Sequence, residues 1–514
     1  MALTPPAQAN TFRFAAQGDL KSLDPYALAE TFTLALIGGV YEGLTARDAQ
    51  LKIVPALAES WDVSADARRW RFHLRKGVTF HDGTPFTADD VIFSADRVRS
   101  SGSDLKTRVP ADAVFTKVDD HTVDVTTPDP SPLLNAVWDT WYIVSKKWTE
   151  AHDSVQVNAG ASAPSYISLN ANGTGPFRLA SHSPGVKTTW VPNERWWGKR
   201  EHNLDEVVFT PIASGATRVA ALLSGEVDMI EPAPLQDVDR INASGSARVM
   251  QGPEVRTIYL GFDQHSAVLP RSSVTNGNPF KDVRVRRAVY QAINEDAIKT
   301  RVMRDAAVPT SLIVAKELFP RAGEFKRPDF DPNAAKALLA AAGYPNGFEV
   351  QFDCPNDRYV NDERICQAIV PMLARIGIKA NLKAEPKSIL FGRIYASGGY
   401  ATSFYLLGWQ TNGSGSLGVL RDLYTCRDDA GHGGGNNIGN YCNKKVDALT
   451  IDIGREPDET KRNQFIYDAY DIAQNQEVAY IPLHQQTLAW GIRSNVKVVQ
   501  RADNDFRFYW VTKN

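Results

Sequence analysis

Residues 59–97 read ESWDVSADARRWRFHLRKGVTFHDGTPFTADDVIFSADR, and the hydrophobic period changes within them. In RRWRFHLRKGVTF apolar residues alternate with polar and basic ones, which predicts a half-buried strand with its basic residues outward. From HDGTPF onward the period becomes helical. Thr87 is a good N-cap, Asp89 and Asp90 suit the positive end of a helix dipole, and Val91, Phe93 and Val98 supply a partly apolar face.

The same mixture extends along the chain. TFRFAAQGDL, HTVDVTT and NLDEVVFTPI read as strands, SLDPYA as a turn, and GATRVAALLSGEVDMI as helix, turn and strand. In the second half, DVRVRRAVYQAINEDAI, DPNAAKALLAAAGYPNG and ERICQAIVPMLARIGI read as helices, the second closed by Gly343. The strands FEVQFDCP and KANLKAE follow two of them. Such alternation predicts an α/β protein whose sheets are covered by helices. With 514 residues, 43% of them hydrophobic, a single core is too small and two or more lobes are expected. No fixed-period repeat or low-complexity tether appears, so short strand-like crossings should join the lobes.

Composition removes several partners. Lys and Arg number 57 against 59 Asp and Glu, a formal charge of −2, with no long run of one sign to bind nucleic acid or an anionic membrane. No stretch approaches the roughly 20 consecutive apolar residues of a membrane span. Ala7-Gln8-Ala9 fits the tail of a secretory signal whose charged and apolar parts are missing from this sequence, which would place the mature start of an exported protein near Asn10; a chance Ala-rich terminus is the alternative. The four cysteines form two local pairs, Cys354 with Cys366 and Cys426 with Cys442, and none makes a C-x-x-C. Two disulfides closing short loops are expected, each contributing about 3 kcal/mol in the loop-entropy model; four buried thiols are the alternative.

Motifs for bond chemistry are missing. H-E-x-x-H, G-x-x-x-x-G-K-[ST] and G-x-S-x-G do not occur, and Ser103–Lys106 matches S-x-x-K without its K-T-G partner. NGTGPF and GHGGGNNIGN lack the spacing of a nucleotide loop. No catalytic residue, cofactor or metal site is therefore expected. YLLGWQTNGSGSLG, residues 405–418, carries Trp409 to the end of an apolar strand and then loses nearly all its side chains. It is compatible with a phosphate cradle, an idle turn or the floor of a binding pocket.

Taken with the opening block, SLDPYALAETFTLALIGGVYEGL, GTGPF, ALLSGEVDMI, VRRAVYQAIN, AAAGYPNGF and AYIPLHQQTLAWGIRSNVKV resemble, in sequence and order, the peptide/nickel family of extracellular solute-binding proteins, the soluble receptors of ABC importers. The resemblance runs from about residue 11 to 510 and implies a two-lobed periplasmic-binding-protein fold, or Venus flytrap. Lobe I would comprise residues 10–260, with an extra subdomain at about 42–173, and the return segment 485–514. Lobe II would be residues 261–484, with crossing strands near 258–263 and 482–489. The implied partners are a small-molecule ligand and the permease of an ABC importer, met by a monomer that catalyses nothing.

The resemblance also implies site residues. Dipeptide and oligopeptide receptors follow a Gly-Trp, three residues after the Trp, with an Asp that pairs with the peptide ammonium. Here Trp409 keeps the aromatic wall, but Asn412 stands at the third position, so the loop is read as a pocket floor without a carboxylate. Arg358 stands where dipeptide receptors place an arginine on the ligand carboxylate. Glu30, Thr31 and Phe32 match an extended segment along which peptides lie, with Glu30 a displaced partner for a ligand cation. Trp138, Trp141 and Tyr142 line the cleft or form a buried cluster, and Pro386 replaces a cleft tryptophan of some members. The expected ligand bears a carboxylate: an opine, an amino-acid conjugate, a metal chelate or similar. The alternatives are an ordinary di- or oligopeptide and, from another class, a hydrolase built on a flytrap scaffold.

Overall fold

A computed structural model describes residues 9–157, 164–395, 399–411, 414–427 and 433–514. The quoted block forms the strand Arg69–Leu74 and the helix Ala88–Val98. Trp70, Phe72 and Leu74 are buried while Arg69 and Arg71 face out, as the alternation requires. The strand lies antiparallel between Ala58–Val63 and Thr122–Thr126, and Val114–Asp119 completes a four-stranded sheet. Asp90 Oδ2 accepts from the Thr87 N–H at 2.9 Å and closes a capping box, worth about 1 kcal/mol to the helix start. At the helix end Arg97 donates to both oxygens of Asp24, at 2.8 and 2.6 Å, in a fully buried fork. Removing either partner would strand a buried charge.

Three separated motifs meet around His81. Its N–H donates to the Gly173 carbonyl at 2.9 Å, its Nδ1 accepts from the Gly173 N–H at 3.3 Å, and its Nε2 lies 3.0 Å from the Gly175 carbonyl. Gly173 has no room for a side chain, because a Cβ there would sit 2.0 Å from the Val40 carbonyl oxygen. FHDGTPF, NGTGPF and IGGVYEGL are thus one packed knot. An imidazole accepting at Nδ1 and donating at Nε2 is neutral, and burial holds its pKa down to about 4. The stability this contributes is complete above about pH 6.5 and is lost as pH falls through about 4, at most about 3 kcal/mol. Glu42, also in this knot, has the opposite sign: burial raises its pKa to about 7, so its contribution is present below about pH 4.5 and lost as pH rises through 7. Denaturant unfolding of wild type and His81→Gln should therefore show a stability gap that narrows steadily from pH 6.5 to 4. A constant gap would contradict the neutral-histidine assignment.

The chain divides into two compact units, residues 1–252 with 488–514, and residues 253–487. It passes between them inside the strands Ala247–Phe262 and Ile481–Arg493. In the first unit, Thr11–Ala16 pairs in parallel with Glu206–Pro211 and with Met229–Glu231, and Lys187–Pro192 and Phe177–Ser183 continue the sheet antiparallel. Its core holds Trp138, Trp141 and Tyr142, all 2% exposed or less. These three rings are therefore core residues rather than cleft lining. Two indoles 4.9 Å apart at 65° each bury a large apolar surface, which outweighs any placement in solvent.

In the second unit, Phe348–Pro355 runs parallel to Ile378–Glu385 and to Phe404–Gln410, and the last pairs antiparallel with the Arg256–Phe262 part of the crossing strand. Helices Val283–Ala292, Pro332–Ala341 and Asp362–Ala374 belong to the same unit. Gly343, just past the second of these, has φ +93, the left-handed turn that ends it. Both disulfides are present, Cys354–Cys366 and Cys426–Cys442.

Candidate functional site

In the second unit three parallel strands end at Pro355, Glu385 and Gln410, so the segments that follow them gather at one edge of the sheet. Carboxyl ends of parallel strands are where open α/β sheets bind ligands, because the loops there diverge and leave a crevice. Segment 356–361 holds Arg358. It leaves the strand at Cys354 and re-enters the fold at the helix bearing Cys366, so the disulfide ties its two ends. From the first residue of that helix, Asp362 Oδ2 accepts from the N–H groups of Arg358 and Tyr359, both at 2.9 Å. Burial pushes the Asp362 carboxyl up, and the same N–H groups oppose that shift. Lys387, opening the helix after Glu385, donates its N–H to Asp357 at 2.7 Å and ties the second segment to the first.

The Arg358 backbone is thus fixed while its side chain is exposed. The guanidinium stacks over the Tyr359 ring at 5.3 Å and, among the described residues, has no hydrogen-bonded or ion-paired partner. Tyr359 is itself anchored, its hydroxyl donating to the Gly408 carbonyl at 3.1 Å. Gly408 must be a glycine here, since a Cβ would lie 2.7 Å from the Tyr359 ring.

Trp409 sits at the end of the third strand, opposite Thr257. It is half-buried and packs on the aromatic core of the second unit. Alternation along the strand sends its indole to the face opposite Gly408 and Gln410. Asn412 lies outside the described residues.

On the Gln410 face stand residues that sequence reading missed. Arg256, paired in register with Gln410, donates through Nη2 to the Gln410 side-chain oxygen and through Nε to Glu254 at 3.1 Å. Gln486 Nε2 donates to the other Glu254 oxygen at 2.9 Å, and its own carbonyl accepts from the Val360 N–H at 3.2 Å. Arg256 also lies 6.0 Å from the Tyr359 ring. A signal was available: Glu254 and Arg256, spaced to share one strand face, set two opposite charges just before the apolar run IYLGF.

Glu30, Thr31 and Phe32 belong to the first unit. Only Glu30 is extended; Thr31 and Phe32 open the helix Thr31–Ile37, which corrects the expected extended segment. The apolar run Leu34–Ile37 buries itself as a helix, and Thr33 Oγ1 donates to Glu30 at 2.9 Å across its first turn. Phe32 packs edge-on against Phe209, 5.7 Å away, while Glu30 stays exposed.

The model of the bacterial extracellular solute-binding proteins, family 5, matches residues 52–431. The chain belongs to this family. It is 26% identical to the dipeptide-binding protein of Escherichia coli K12, over 97% of this chain and 93% of that one. It is equally 26% identical to the glutathione-binding protein GsiB of the same strain, over 90% and 86%. The periplasmic binding protein AgaA of Agrobacterium tumefaciens R10, solved with agropinic acid, superposes with a TM-score of 0.77 at 24% identity, covering 98% and 99%. The fold is accordingly the two-lobed periplasmic-binding-protein fold, and the chain is a solute-binding receptor of an ABC importer. Family 5 members bind small ligands or peptides and deliver them to ABC permeases; these relatives are binding proteins, not enzymes. None of the described helices is long and apolar enough to cross a membrane.

Proposed function

We propose that this receptor works as a monomer in the periplasm, captures a small carboxylate-bearing ligand on Arg358, and passes it unaltered to its permease. The observation that carries the reading is an exposed guanidinium without a partner among the described residues, on a disulfide-tied loop at the carboxyl edge of three parallel strands. A guanidinium fork selects a planar anion, and a loop fixed in advance loses little entropy on binding. Glu30, Thr31, Phe32, Trp409 and Asn412 complete the proposed ligand set. The ligand is an opine, an amino-acid conjugate or a metal chelate in chemistry, and AgaA, a relative in fold, was solved with agropinic acid. Ordinary peptides are the second reading, favoured by the full-length match to a dipeptide-binding protein.

A ligand that prefers the closed form shifts the population toward it, and moving from 1:99 to 99:1 takes about 5.5 kcal/mol of differential affinity. Small-angle scattering should therefore show contraction when the ligand that co-purifies with the protein is stripped and added back. Saturation that leaves both the scattering envelope and the thermal midpoint unchanged would contradict closure.

A further inference from the structure

The Tyr359 ring has two guanidiniums near it. Arg358 lies 5.3 Å and Arg256 6.0 Å from its centroid, on segments about a hundred residues apart in sequence. Burial raises the Tyr359 pKa, and its hydroxyl donates to the Gly408 carbonyl, so the phenol beside both guanidiniums is neutral. The acidic groups around the pair are already engaged. Glu254 is 2% exposed and takes bonds from Arg256 and Gln486, Asp362 accepts from three backbone N–H groups, and Asp357 accepts from the Lys387 N–H. The Arg256 side chain keeps 12% of its surface, so the outer end of the Glu254–Arg256 pair is the cation. Glu254 and Gln410 hold Nε and Nη2, which orients the guanidinium, and Nη1 has no partner among the described residues.

We infer that Arg256 is a second anion contact, acting beside Arg358, and that the pocket takes ligands carrying two anionic groups, dicarboxylates above all. This inference rests on the proposed role of Arg358 and adds to it the second charge and the residue that reads it. A fixed guanidinium facing an ammonium would repel it, whereas a second carboxylate gains a charge-assisted hydrogen bond. The site thus selects against the free ammonium of an ordinary peptide as well as for a diacid.

The test is calorimetry with matched probes: iminodiacetate, 2,2′-iminodipropionate and N-succinyl amino acids, each beside its monomethyl ester. Every diacid that binds should do so at least tenfold more tightly than its monoester. Arg256→Gln should remove that advantage, bringing each diacid to within about twofold of its own monoester. Because Arg256→Gln leaves the buried Glu254 without its cation, the double variant Glu254→Gln/Arg256→Gln is measured alongside, with circular dichroism to check folding, and should lose the same advantage. Failure of every diacid to outbind its ester, or a diacid advantage intact in a folded double variant, overturns the inference. If Arg358→Ala abolishes monoester binding in that case, the proposed function stands without it; if Arg358→Ala is also silent, both fall.

Discussion

Unmodified di- and tripeptides are expected to bind the wild-type protein with dissociation constants no lower than roughly tens of micromolar. The resemblance implies that Asn412 stands where dipeptide receptors carry the ammonium partner, and in the proposed site an amide cannot neutralise a cation that has left water. An unpaired charge in a closed cleft costs about 3 to 5 kcal/mol, roughly two to three and a half orders of magnitude in affinity. Glu30 is exposed and already accepts from Thr33, so it is a weak substitute. Asn412→Asp should reverse the preference, strengthening peptides and weakening the native ligand. Calorimetry against a mixed peptide panel checks both directions, and submicromolar binding of an unmodified dipeptide by the wild type would return the protein to the peptide receptors.

Arg358→Ala should weaken the co-purifying ligand by about 10- to 150-fold, the worth of a charge-assisted contact of about 1.5 to 3 kcal/mol. Stability should barely change, because the side chain is exposed and the loop is held through backbone N–H groups and the disulfide rather than through the guanidinium. Arg358→Lys should recover only part of the loss, since a point charge cannot fork onto a carboxylate. Equal affinities for all three proteins would remove Arg358 from the site.

What could be read from the sequence follows the range of the forces involved. The switch from strand to helix in residues 69–98 is local, set by alternation and by Thr87 with Asp90, and it survives intact in the structure. The disulfides were legible for the same reason, each closing a short loop. Thr31 and Phe32 were expected in an extended segment because the resemblance supplied one, while the apolar run that follows them drives a helix. Trp138 and Trp141 remained ambiguous, since an indole suits a core and a cleft equally until its neighbours are known. Arg256 was invisible as a site residue because its meaning lies in register. Only the antiparallel pairing with Gln410, 154 residues away, brings it to the ring beside Arg358. The knot at His81 joins FHDGTPF to NGTGPF across more than ninety residues, its imidazole meeting backbone groups of Gly173 and Gly175 whose place no sequence pattern announces.

On the proposed function, the ligand is an anion docked on Arg358. Mass spectrometry of the small molecule released by denaturing protein purified under native conditions tests it most directly. The expected compound has at least one carboxylate, two if Arg256 takes part, and no free α-amino terminus of an ordinary peptide. An unmodified peptide, or a molecule with no carboxylate at all, would contradict it.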